Sequence, residues 1–190
     1  MNARAKRVSA LVALALCISP SVCPGTPGDG EDELKSATVL SFLRYATWPG
    51  NPRPNEVLTV GVLGRPSFAK TLGGLLEGKS VNGRAVRLVE LKAGADVRCC
   101  QLIYFATGKK TEIQQVLQNA GSAHTLTIGE DDKFLEYGGA VNLELVDGHM
   151  GFEVNLEVLG LSGVDISAKL LRLGRLRGTN PRRACSAVPR

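Results

Sequence analysis

Residues 57–64 read Val57-Leu58-Thr59-Val60-Gly61-Val62-Leu63-Gly64, VLTVGVLG, an apolar run without polar alternation. A strand with one wet face alternates, whereas a continuous run belongs to a strand buried on both faces, so a sheet with helices on either side is expected. Just downstream, SFAKTLGGLL (67–76) spaces Phe68, Leu72, Leu75 and Leu76 by four, three and one, which is helical. Asn82-Gly83, between the β-prone runs of SVNGRAVRLVEL (80–91), marks a two-residue hairpin turn. LIYFA (102–106) is a second apolar strand, TEIQQVLQNA (111–120) a helix with Ile113, Val116 and Leu117 on one face, and HTLTIG (124–129) a third buried strand. Upstream, Glu31 to Tyr45 predicts a helix whose acidic first turn suits its dipole and whose Leu34, Ala37, Leu40 and Leu43 step by three. Trp48 and Pro49 close it, and GNPRPNE (50–56) is a loop. Beyond the third strand, DDKFLEYGG (131–139) predicts a short helical turn ended by glycines. AVNLELVDGHMGFEVN (140–155) predicts a hairpin turning at Asp147-Gly148, and 156–177 a short helix, a bend at Gly163 and a second amphipathic segment. The expected architecture is α/β: a single three-layer domain with a mixed sheet of about five to six strands flanked by helices.

The ends of the 190-residue chain differ from its body. Arg4, Lys6 and Arg7 precede an eleven-residue apolar run, Val8 to Ile18. That is too short for a span of about 20 residues and has the form of a cleaved export signal, predicted over 1–25. Residues 26–33 are expected to be a flexible N-terminus, 34–177 the folded domain and 178–190 a basic, disordered tail. The formal charge of +5 comes from the ends: the leader and the six arginines from Arg172 to Arg190 hold nine of 23 basic residues, leaving 14 against 18 acidic ones. The body is mildly acidic and has no basic stripe with interleaved aromatics, which argues against nucleic acid as a partner. Cys17 and Cys23 lie near the leader's end, where a lipid anchor ranks below simple cleavage.

Several motifs point to chemistry and fail on context. Gly73, Gly78, Lys79 and Ser80 match GxxxxGK[ST], yet a helix leads into the pattern and a strand leads out, the reverse of a phosphate loop. Gly78 reads instead as a left-handed helix cap. No GxSxG elbow is present, and His124 and His149, the two histidines of the chain, sit at a strand start and beside a turn. Glu130, Asp131 and Asp132 follow no calcium-loop spacing and read as a cap. No metal, cofactor or catalytic residue is expected. Cys99, Cys100 and Cys185 are candidates for a disulfide or free thiols. Glu153 and Asn155 project together from one strand face: Asn155 suits an N-cap, and Glu153 with Lys169 or a nearby arginine would form a recognition patch.

YATWPG (45–50), VGVLG, CQLIYFA (100–106), TIGE, GGAVN (138–142), FEVNLE (152–157) and ISAKLLRLGR (166–175), in this order, resemble the YfiR-like periplasmic proteins from about Leu34 to Leu176. The resemblance implies a non-enzymatic, dimerising repressor that binds the periplasmic domain of an inner-membrane diguanylate cyclase and is itself sequestered by an outer-membrane lipoprotein. It maps the family's C-terminal motif onto Ile166, Ser167, Lys169, Leu170, Leu171 and Leu173, and its FxxN element onto Phe152 to Asn155. Ala168, Thr47 and Gly61 depart from the family pattern. At Gly61 many members carry a cysteine that pairs with the one matching Cys100, so that bridge is absent here. The residues expected to meet a partner are Trp48, Phe152, Glu153, Asn155 and Lys169, with Trp48 equally compatible with a core position. A periplasmic small-molecule binding module and an exported hydrolase are the alternatives; a ligand-sized pocket bounded by Trp48 and Glu153 would favour the first of these.

Overall fold

The computed structural model describes residues 27–50, 56–120 and 124–179. The leader, Cys17, Cys23, Cys185, most of the proline-rich loop and the arginines beyond Thr179 lie outside them.

The decisive run becomes β2 (Leu58–Gly64), following helix α1 (Pro27–Tyr45) and a two-residue strand, β1 (Ala46–Thr47). All residues of β2 up to Leu63 are buried. Helix α2 (Pro66–Leu76) leads to β3 (Ser80–Val81) and β4 (Arg84–Leu91), then come β5 (Leu102–Ala106), α3 (Lys110–Ala120), β6 (Leu126–Gly129), β7 (Val141–Val146) and β8 (His149–Asn155). The chain continues through α4 (Leu156–Ser162), β9 (Asp165–Ile166), α5 (Ala168–Leu171) and β10 (Arg175–Arg177). Strand order is β10-β8-β7-β6-β5-β2-β4-β3. β4, β2, β5, β6 and β7 run parallel, β8 is antiparallel to β7, and β10 runs parallel to β8.

Two layers sandwich the parallel half. α1, α2, α4 and α5 close one face through Phe42, Phe68, Leu72 and Leu159 against Val62, Tyr104, Ile128, Val141 and Val154. α3 and the turn carrying Phe134 close the other against Leu63, Ile103 and Phe105. Each such fully buried Leu, Ile, Val or Phe contributes about 1.5–3 kcal/mol by leaving water. The α/β reading of the sequence thus holds, with eight strands rather than five or six. The strand not expected is β10, too short to carry a period.

Both expected hairpins form, and their turn residues take left-handed dihedrals: Asn82 and Gly83 at φ 51° and 78°, Asp147 and Gly148 at 51° and 75°. Gly78, at φ 65°, ends α2 and leaves Lys79 exposed before β3 and Ser80 exposed at its start, so the GKS match has no phosphate-loop geometry. The first helix differs from expectation. It begins at Pro27, so most of the segment 26–33 is helical rather than flexible, and Glu31 and Asp32 form ion pairs instead of merely facing the dipole.

Candidate functional site

The sheet reverses direction of growth between β2 and β5, because α2 carries the chain outward to β4 and the next connection returns it to the other side of β2. In open α/β sheets the crevice beyond the carboxyl ends of strands at such a point is where ligands bind. Here that crevice holds a network of charges. Gly64 makes the exit from β2 possible: at φ 107° it brings the backbone so near β5 that a Cβ would lie 2.4 Å from the Ala106 carbonyl oxygen. Arg65 follows, and its guanidinium donates to Asp32 at 2.8 Å and to Glu130 at 3.3 Å. Glu130, just past β6, also accepts from Lys35 Nζ at 2.7 Å and from the Tyr104 hydroxyl at 2.8 Å. Lys35, only 6% exposed, holds Glu31 as well, at 2.5 Å.

The electrostatics follow from this packing. Burial pulls the Lys35 pKa down, but hydrogen bonds to Glu130 and Glu31 outweigh it and hold the ammonium above its ordinary value. The hydrogen bond and charge of Lys35 lower the pKa of Glu31. Burial, then the adjacent Glu130 charge, raises that of Tyr104, so its hydroxyl is a fixed donor, stacked on Phe68 at 4.1 Å between centroids. Beside the network an open cleft of about 430 Å³ runs between the start of α1 and the end of β7, lined by Glu31, Lys35, Glu130, Asp132, Leu143 and Val146. Nothing in the linear order of residues marks this centre, since Lys35 and Glu130 are 95 positions apart. The cap reading of the acidic trio fits Asp131 alone, whose carboxylate accepts from the Lys133 N–H at 2.9 Å.

The five residues expected to form one surface are scattered. Trp48 is half-buried, packs on the core of the first face, and donates from Nε1 to the Gln101 carbonyl at 2.8 Å, at the amino end of β5. Phe152 lies on that same face, buried edge-on against Phe42 at 5.1 Å. Glu153 turns to the other face, is 8% exposed and is ion-paired with Arg177 rather than Lys169. Asn155 caps α4, its side chain accepting from the Glu157 and Val158 N–H groups. Lys169 is exposed in α5, and among the described residues it has no ion-pair partner. β8 is also not an edge, because β10 pairs with it: Arg175↔Glu153, Leu176↔Val154, Arg177↔Asn155. The cleft is bounded by neither Trp48 nor Glu153, which belong to opposite faces of the sheet.

Several of the motif residues serve the fold. YATWPG and ISAKLL meet directly, as Ala46 pairs with Ile166 and Thr47 with Asp165, while the Ser167 N–H donates to the Tyr45 carbonyl at 2.9 Å. Ser167 caps α5, and Leu170 and Leu171 enter the core. His124 is exposed and bonds through Nδ1 to the Ser162 carbonyl at 2.9 Å. Cys100 is a buried free thiol whose pKa burial, and then Cys99, push up to about 12; Cys99 is free and exposed.

Among the described residues no helix is long and apolar enough to cross a membrane. A family model of YfiR/HmsC-like proteins matches residues 32–175, from the acidic first turns of α1 to the first residue of β10. The chain belongs to the YfiR/HmsC-like family, a group of periplasmic, regulatory proteins of cyclic-di-GMP signalling.

Proposed function

We propose that this protein is a periplasmic repressor: it docks on the periplasmic domain of an inner-membrane diguanylate cyclase, or a related sensor, and holds it inactive, with no bond-making of its own. The observation that carries the reading is the family match across nearly the whole described domain. Repression needs only differential affinity, because a ligand that binds one state of its partner more tightly shifts the equilibrium by that difference and no more. In this reading the repressor is a homodimer, an outer-membrane lipoprotein withdraws it, and biofilm formation follows the messenger it controls.

The test is capture of the exported protein's partner from membranes, paired with measurement of cyclic dinucleotide after deletion of the chain. A cyclase or sensor in the captured fraction and a rise in the messenger are expected. No membrane partner and an unchanged messenger would overturn the proposal.

A second reading has its own observation. The cleft beside Lys35 and Glu130 lies at the carboxyl end of the sheet, where a small-molecule binding module would hold its ligand. Calorimetric screening of periplasmic metabolites against wild type and Glu130→Gln separates the two, since only a ligand module gives a heat that the substitution removes.

A further inference from the structure

One end of the sheet is finished by β10, which is hydrogen-bonded to β8 and, among the described residues, to no other strand. Its outer side therefore presents unpaired backbone N–H and C=O groups. All three residues are exposed, and two of the chain's exposed large apolar side chains belong here: Leu176 at 49% and, just before the strand, Leu173 at 75%. The edge is anchored. Gly174 passes so close beneath Phe152 that a Cβ would lie 2.2 Å from the ring, and Arg175 and Arg177 are tied to Glu144 and Glu153. From Ile166 to Thr179 the chain carries Lys169, Arg172, Arg175 and Arg177 and no carboxylate.

We propose that β10 is a docking edge where an extended acidic-apolar segment of a partner protein adds as a further strand. Backbone hydrogen bonds supply the register-independent part of such an interface, and alternate side chains supply its selectivity. Alternation fits this edge: Leu176 extends the apolar row of Val154, while Arg175 and Arg177 stand on the opposite, polar face. Each guanidinium has five N–H donors, more than one carboxylate takes, so donors remain for the partner's acids. A second copy of the chain fits poorly. Antiparallel self-pairing of Arg-Leu-Arg sets Arg175 opposite Arg177 of the other copy, and like charges directly opposite destabilise a ladder. The proposal rests on the reading of the protein as a docking regulator and deepens it by naming the edge and the partner's chemistry.

The experiment uses the full chain and two probe peptides of alternating sequence, (Glu-Val)4 and (Lys-Val)4, with amide exchange read by NMR. The acidic peptide is expected to slow exchange in β10 at least tenfold, the lysine peptide to leave it unchanged, and 0.5 M salt to weaken acidic-peptide binding at least tenfold by screening. Leu176→Asp, at an exposed site, should lose at least tenfold in affinity while keeping the wild-type near-UV spectrum. Equal slowing by both peptides, no slowing in β10, or protection of β10 by self-association of the free protein would overturn the proposal. Partner capture separates the two levels. If wild type and Leu176→Asp retain a membrane cyclase equally, the docking edge is wrong and the repressor reading stands. If neither retains one, the repressor reading fails and the peptide result alone decides the edge.

Discussion

Replacing Gly61 by cysteine should restore a covalent link between β2 and the turn before β5. A Cβ built at Gly61 lies 3.2 Å from the Cys100 Sγ, close to the separation of about 3 Å that a bridged Cβ keeps from the far sulfur. Gly61 lies outside the left-handed region, so a side chain adds no backbone strain, and leaving glycine in a strand gains about 0.5–1 kcal/mol. The obstacle is Leu91, whose Cδ1 sits 2.5 Å from that Cβ; it is half-buried, so its chain end can rotate away at a cost of about 1 kcal/mol. Closing a loop of about 40 residues contributes about 4 kcal/mol in the chain-entropy view, so the oxidised variant should gain about 3–4 kcal/mol and melt roughly 6–16 °C higher. The assay is thermal unfolding of Gly61→Cys in a Cys99→Ser background, with and without reductant, together with mass mapping of the bridge. Free thiols after oxidation, or a melting temperature indifferent to reductant, would show that β2 and Cys100 are not held as described.

Further outcomes follow from other contacts. Glu130→Ala leaves the Tyr104 hydroxyl without its acceptor and takes one of two carboxylate partners each from Lys35 and Arg65, and urea unfolding should show a loss of about 2–3 kcal/mol. Because Glu31 is depressed below 4.5, its contribution is present above that pH and disappears as pH falls through the lower folded value; Lys35, raised above 10.5, contributes below that pH and loses its part as pH rises past the higher folded value. Glu31→Gln should therefore lower stability at neutral pH and converge with wild type at low pH, flattening part of the acid arm of a stability-pH curve measured by denaturant unfolding. Asn155→Ala removes the acceptor for two N–H groups of α4 and should lower stability by about 1 kcal/mol, read as a drop in the denaturation midpoint. Gly139→Ala would place a Cβ 2.1 Å from the Phe134 ring and should cost at least about 1–3 kcal/mol in the same assay.

How far the fold could be read from the sequence depended on the range of the interactions. Buried strands such as 57–64 and 102–106 announce themselves because burial on both faces leaves a composition no loop shares, and Asn82-Gly83 and Asp147-Gly148 do so because only certain residues tolerate their dihedrals. β10 was lost inside an amphipathic segment, since three polar-flanked residues have no period and become a strand only by lying against β8. The start of α1 was missed for a related reason: a Gly-Asp-Gly stretch is a poor helix former, and the reach of Asp32 to Arg65 gives its first turns tertiary support. The charge network at the switch point was illegible because Lys35, Arg65, Tyr104 and Glu130 come from four elements. Glu153 shows the opposite case. Its projection with Asn155 was foreseen, but its distance from Trp48 depends on which face each side chain takes.

The sheet is insulated unevenly. Layers cover both sides of β2, β5 and β6, but the outer parts of β7, β8 and β10 leave a more open polar wall carrying Glu144, Gly151 and Arg175. Sequence change on that wall alters the charge pattern met by another molecule while leaving the interior untouched. A lineage can therefore retune whom the protein recognises at little expense in foldedness, and a saturation mutagenesis map should display that wall as a permissive stripe beside an intolerant block.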